Sequence, residues 1–210
     1  LGRSAMMRVA KGLYRLAHEK QKPNVERRRG FQERDMKRFG QYMAVTNKSF
    51  DVTVEKALFM HFTKEYAQLP KAQRNASFDK FFGLENGLNE AKLTAQINAM
   101  YAKTKLDEAD VRLAWMDKSV EEFKTSDDPF IQFAVSQYDH DMKEEEKGKA
   151  LGGKLKQARP AYMEAMIDFK KSRNEAVYAD ANSSLRITYG NVKGYSPQDG
   201  LVATPFTTLE

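Results

Sequence analysis

A chain of 210 residues with 41% hydrophobic and 11% aromatic side chains can fill a packed core, so disorder as the default state is excluded. Charged residues make up 30%, no apolar run reaches the roughly 18 residues of a membrane span, and there is no cysteine; a transmembrane class, disulfides, thiol catalysis and cysteine-bound zinc are therefore excluded. The net charge of +6 is local, because residues 1–40 carry 12 Lys and Arg against 4 Asp and Glu, leaving 23 and 25 for the remainder. A cysteine-free chain fits reducing and oxidising compartments alike. The N-terminus shows no charged start followed by an apolar stretch, so any leader is removed or lies outside this sequence.

In chain order, Met6, Val9, Ala10, Leu13, Leu16 and Ala17 recur at three- and four-residue steps and predict an amphipathic first helix, broken by Pro23. Phe31, Phe39, Tyr42, Met43 and Phe50 predict a second helix from about Val25 to Lys48. Asp51 is placed to accept from the first-turn amides of a third helix carrying Leu58, Phe59, Phe62, Tyr66 and Leu69, which Pro70 stops. A short aromatic piece follows at Phe78, Phe81 and Phe82, and helical spacing resumes at Leu93, Ile97, Met100 and Tyr101. Ser119 and Glu122 have capping-box spacing. Asp128 and Pro129 then read as N-cap and first residue of a long helix through Phe133, Tyr138 and Met142, expected to loosen at Gly148, Gly152 and Gly153 and to resume through Tyr162, Met166 and Phe169. Near Ala176 the composition turns to strand and turn residues: Leu185, Ile187 and Tyr189 alternate with Arg186 and Thr188, which predicts a strand paired with NVKGY. The fold class is mainly α, a multi-helix domain over residues 1–175 with a short β tail at 176–210.

Catalytic chemistry is sparse. His18, His61 and His140 fall in helical stretches with no serine in a strained turn beside them, and each reads as a satisfied or surface histidine. Asp139, His140, Asp141 and Glu144 crowd one stretch, but a second histidine at metal-ligand spacing, an HExxH motif and an EF-hand loop are all absent, so the reading is an acidic helix face with no metal. LGGK at Leu151–Lys154 lacks the Walker pattern, and no glycine fingerprint follows a strand; no cofactor is implied. The basic stretch Arg27, Arg28, Arg29, Arg34, Lys37 and Arg38 is interleaved with Glu26, Glu33 and Asp35, the pattern of a salt-bridged helix face. Its alternative is a free-standing basic module binding nucleic acid through Arg27, Arg28, Arg29, Lys37 and Arg38, or a helical partner-binding domain. Arg186, flanked by Leu185 and Ile187, points away from the apolar face of its strand toward a salt bridge or backbone contact.

Several blocks occur in an order that carries further meaning: RLAHEKQKPNVERRRGFQERD, then DDPFIQFA, ARPAYMEAM, DANSSLRITYGNVKGYSPQDG and PFTTLE. Together they resemble the bacterial dipeptidyl-peptidases of serine peptidase family 46, with DANSSLRITYG the most specific. That resemblance implies a double β-barrel with a Ser/His/Asp triad, interrupted by a large helical domain. Residues 1–175 correspond to the later part of the helical insertion, and 176–210 to the return into the second barrel. The family's His and Asp lie upstream and its serine downstream, so the resemblance transfers no catalytic residue, and the asparagine that holds the substrate's amino terminus is not assigned to Asn24, Asn47 or Asn182. It implies peptide substrates, removal of N-terminal dipeptides, a periplasmic setting, and a segment that caps the cleft and is inactive alone. A strand cut from its barrel leaves an open edge. A hairpin on the helices or a homodimer would close it.

Overall fold

A computed structural model describes residues 4–177, 185 and 187–208. It contains eight α-helices and one antiparallel strand pair among these residues. Contacts divide the chain into two units, Leu1–Lys154 and Leu155–Glu210.

In the first unit α1 (Ala5–Lys20) is the central element. The predicted stripe is fully or nearly fully buried, and Met7, Tyr14 and Glu19 are buried too. The buried arc is therefore much wider than one stripe, as for a helix surrounded by others. Ser4 caps it, its hydroxyl accepting from the Met7 amide at 3.3 Å. Around it pack α6 (Ala109–Trp115) and α7 (Val120–Lys124); α2 (Met36–Val45) packs on α6, and α3 (Val52–Ala67) on α5 (Glu90–Lys103).

Helix starts follow their capping residues. Asp51 accepts from the Thr53 and Val54 amides, each at 2.9 Å. At α7 the Ser119 amide donates to Glu122 at 2.8 Å while the Glu122 amide donates to the Ser119 hydroxyl, closing the box. Asp128 accepts from the Phe130 and Ile131 amides at the head of α8 (Pro129–Ser172) and takes the Thr104 hydroxyl at 2.7 Å with its second oxygen, tying the end of α5 to the start of α8. The short α4 (Ala76–Phe82) places Phe78 and Phe82 with rings 4.6 Å apart against Phe59 and Phe133, and ends at Gly83 with φ of 65°, a left-handed conformation that glycine adopts without strain.

Two helical expectations are corrected. The second helix begins at Met36, not Val25: a 3-10 turn at Asn24–Glu26, a loop, and another turn at Glu33–Asp35 precede it. Local side chains capture the backbone there, since Asp35 accepts from the amides of Gly30 and Gln32, Asn24 accepts from the Glu33 amide, and Gly30 sits at φ of 98°. The long helix α8 runs unbroken through Gly148, Gly152 and Gly153, because its lysine, glutamate, alanine and leucine neighbours offset the roughly 1 kcal/mol that each glycine costs.

In the second unit, the strands are β1 (Tyr195–Gln198) and β2 (Leu201–Ala203), antiparallel, with Tyr195 opposite Ala203 and Gln198 opposite Leu201. Gly200, at φ of 76°, makes the turn. The strand expected at Leu185–Tyr189 is not among them. Leu185, Ile187 and Tyr189 are exposed and outside any strand, and the hairpin forms where a two-residue Asp-Gly turn allows strand pairing with the least loop. Arg186 and Asn182, with most of the DANSS block, lie outside the described residues.

Candidate functional site

The histidines occupy three different environments. His18 lies between α1 and α8, its ring stacked on Tyr138 at 4.1 Å and edge-on to Tyr14 at 4.7 Å. Its buried Nε2 has no hydrogen-bond partner, so it is neither a surface nor a satisfied histidine, and burial reinforced by Lys124 and Arg15 lowers its pKa. Stacked inside a helix interface, it is held neutral. His61 is exposed beside Phe62, and His140 is half-buried on α8. Among the described residues, no imidazole is hydrogen-bonded to a serine or a carboxylate.

Asp141, Glu144 and Glu145 of the acidic stretch of α8 are engaged in ion pairs. Asp141 meets Lys11 at 2.7 Å, Glu144 meets Lys147 at 2.6 Å, and Glu145 gathers Arg15, Arg28 and Lys149. No group of three or more metal-ligating side chains occurs among the described residues.

The basic stretch behaves differently from its sequence reading. Arg27 donates to the Lys22 carbonyl, and Arg28 reaches across to Glu145 rather than to a neighbouring acid. Asp35 is occupied by backbone amides. Arg29, Arg34, Lys37 and Arg38 are exposed and make no ion pair among the described residues. The salt-bridged helix face is thus a loop followed by a helix start.

Sequence reasoning missed two buried charges. Glu19 is fully buried. It accepts from Arg15 at 2.8 Å, Lys22 at 3.1 Å and the Arg28 amide at 2.9 Å. Burial alone would raise its pKa, but these donors hold it below the ordinary carboxylate value. Arg112 is fully buried in α6 and donates to the carbonyls of Met43 and Leu106, both at 2.7 Å, and to Asn47 Oδ1 at 2.6 Å. Asn47 and Asn24 therefore have structural tasks. The signal for Arg112 was weak, since an arginine in a helix ordinarily marks the solvent face.

Between the first turn of α1 and α3 lies a cavity of about 320 Å³. Val54, Leu58, Phe59 and Phe62 give it an apolar wall, with Arg8, Asp51 and Glu55 at its polar side. Both carboxylates are engaged at helix starts, Asp51 on α3 and Glu55 on the Ala5 amide. Ser4 caps α1 and approaches the Tyr101 hydroxyl at 3.4 Å. The groups can hold a ligand by shape and polarity, but the cavity has no imidazole to activate a hydroxyl.

Comparison with known proteins decides what the geometry leaves open. The family described as Peptidase S46 matches residues 1–210. The chain belongs to peptidase family S46. The Asp/Glu-specific dipeptidyl-peptidase of Shewanella putrefaciens is 44% identical over 207 residues, covering 99% of the chain and 28% of that protein. Proteins with the same description from Flavobacterium psychrophilum and Porphyromonas gingivalis are 27% and 28% identical, over 78% and 80% of the chain and 22% and 23% of their own lengths. The chain thus spans less than a third of these S46 relatives. Family S46 membership bears out the resemblance read from the ordered blocks, and the largely helical fold with a short antiparallel pair agrees with the predicted class.

Proposed function

We propose that this chain is the later part of the helical domain of an S46 dipeptidyl-peptidase that removes N-terminal dipeptides, with Asp or Glu preferred at the cleavage site as in the names of its relatives. The observation that carries the reading is the 44% identity running over 99% of the chain within a relative it covers to only 28%. In the proposed parent, a serine activated by a histidine attacks the scissile carbonyl, and backbone amides stabilise the oxyanion. Those groups lie in parts of the parent outside this sequence. Residues 1–175 form the helical cap, which restricts the cleft to chain ends and excludes water as it closes; 176–210 return toward the second barrel. The chemistry asks for no cofactor. A periplasmic setting follows the resemblance alone, and no helix of the described residues is long and apolar enough to cross a membrane.

The test uses the chain and the Shewanella relative side by side on fluorogenic substrates ending in an Asp or Glu dipeptide unit. The chain alone should show neither turnover nor labelling by a fluorophosphonate. A chimera in which it replaces the matching segment of the relative should cleave them. Turnover by the isolated chain, or a folded chimera without activity, overturns the proposal.

A further inference from the structure

Arg8 of α1 is exposed, and its guanidinium makes no hydrogen bond or ion pair among the described residues. Two hollows meet at this side chain. One is the cavity of about 320 Å³ between α1 and α3; the other, of about 140 Å³, is walled by Tyr66, Phe78 and Phe133. Lys11, one turn further along α1, lines the second hollow, lies 5.4 Å from the centre of the Phe133 ring and shares its charge with Asp141. On the α3 side of the first cavity stands Asp51. Its Oδ1 takes both first-turn amides, and its Oδ2 has no partner among the described residues. The wall beside it is apolar and open, with Val54 57% and Leu58 47% exposed.

We propose that this surface binds a free acidic dipeptide, an apolar residue followed by Asp or Glu. Its ammonium pairs with Asp51, beside Glu55; its first side chain lies on the α3 wall; its carboxylates meet Arg8 and, at the mouth of the second hollow, Lys11. Simpler ligands match only part of the site. An apolar acid would answer Arg8 and the wall but bring nothing to the Asp51 carboxylate, and an apolar amine would leave Arg8 unmatched. A dipeptide supplies amine, hydrocarbon and carboxylate in one molecule. The first cavity is at the lower end of the roughly 300–1,000 Å³ of small-molecule sites, which suits two residues rather than a long peptide. The need for an amine and a carboxylate together comes from the site itself. The choice of Asp or Glu as the second residue rests on the proposed function, in which such dipeptides are released.

Titration of the isotope-labelled chain with Leu-Asp, followed by NMR, tests the site directly. Amide signals of Arg8, Val54, Leu58 and Phe62 should shift together, with a Kd of roughly 0.1–1 mM for a ligand of this size. Arg8→Gln should weaken binding about tenfold, and so should Asp51→Asn, which keeps an oxygen to cap α3. N-acetyl-Leu-Asp, which lacks the ammonium, should bind the unsubstituted chain about tenfold more weakly than Leu-Asp and should be indifferent to Asp51→Asn. Circular dichroism of both variants should match that of the unsubstituted chain. No shift with millimolar Leu-Asp, shifts confined to other residues, or equal binding of the acetylated peptide overturns the proposal. Its failure is separable from that of the proposed function: a chain that binds Leu-Asp while its folded chimera is inactive overturns only the catalytic reading, and an active chimera whose chain binds no dipeptide overturns only this site.

Discussion

The Arg112 guanidinium donates to the Met43 carbonyl at 2.7 Å, binding α6 to the end of α2 through a charge whose hydrogen-bond partners among the described residues are all neutral. Its other nitrogens reach Leu106 and Asn47, so three separate segments converge on one buried side chain. Burial lowers its pKa, yet an arginine stays protonated, and the neutral acceptors solvate it in place of water. Arg112→Met should therefore leave three acceptors unpaired and destabilise the chain by about 3 kcal/mol or more, at roughly 1 kcal/mol or above for each. Urea titration measures the loss. Arg112→Lys should recover only part of it, because one ammonium cannot span all three acceptors.

His18 supplies a pH dependence with a definite sign. Its folded pKa lies below the ordinary 6.5, so the unfolded chain binds the proton more readily. The neutral ring's contribution is complete above 6.5 and falls away as pH drops through that value toward the folded pKa. Lys124, Arg15 and Lys22 oppose the imidazolium, and Asp139 offsets them only in part. His18→Phe should flatten the stability profile as pH falls from neutral through 6.5 and below, read by thermal melts at matched ionic strength. An unchanged slope would assign the acid sensitivity elsewhere.

Glu19 holds the loop after α1. Glu19→Gln keeps the shape and an acceptor for the Arg28 amide but removes the charge that Arg15 and Lys22 face, and should cost about 1.5–3 kcal/mol. Hydrogen exchange should quicken at Arg28 and its neighbours before it does in α3. Equal loosening throughout would show that the residue supports the whole unit rather than the loop.

Arg29, Arg34, Lys37 and Arg38 are exposed, but they are four scattered cations among Glu26, Glu33 and Asp35. Binding to single-stranded or duplex DNA should stay at the weak, salt-sensitive level of about 10⁻⁴ to 10⁻⁶ M. A sub-micromolar complex at physiological salt would restore the nucleic-acid reading.

Removal of residues 176–210 should leave helical content and the urea midpoint of the first unit nearly unchanged, because among the described residues the buried apolar core lies between Met6 and Ala134. Hydrogen exchange that showed α1 opening in the shortened chain would make the tail part of that core.

What the sequence determined by itself was local or cumulative. Caps at Asp51, Ser119 with Glu122, and Asp128 with Pro129 place helix starts because they satisfy amides only a few residues away. The family was legible because several blocks kept their order over the whole chain. The tertiary structure decided whatever depended on distant partners. Periodicity could show one apolar face of α1 but not that α6, α7 and α8 would cover most of the rest. Nothing in the charge pattern marked Arg112 or Glu19 as buried, because the groups that compensate their burial, the Met43 and Leu106 carbonyls with Asn47 for one and Arg15, Lys22 and the Arg28 amide for the other, come together only in the fold. In the tail, alternation at Leu185–Tyr189 predicted a strand, but a strand needs a paired edge. The available turn at Asp199 and Gly200 put that pairing ten residues further on.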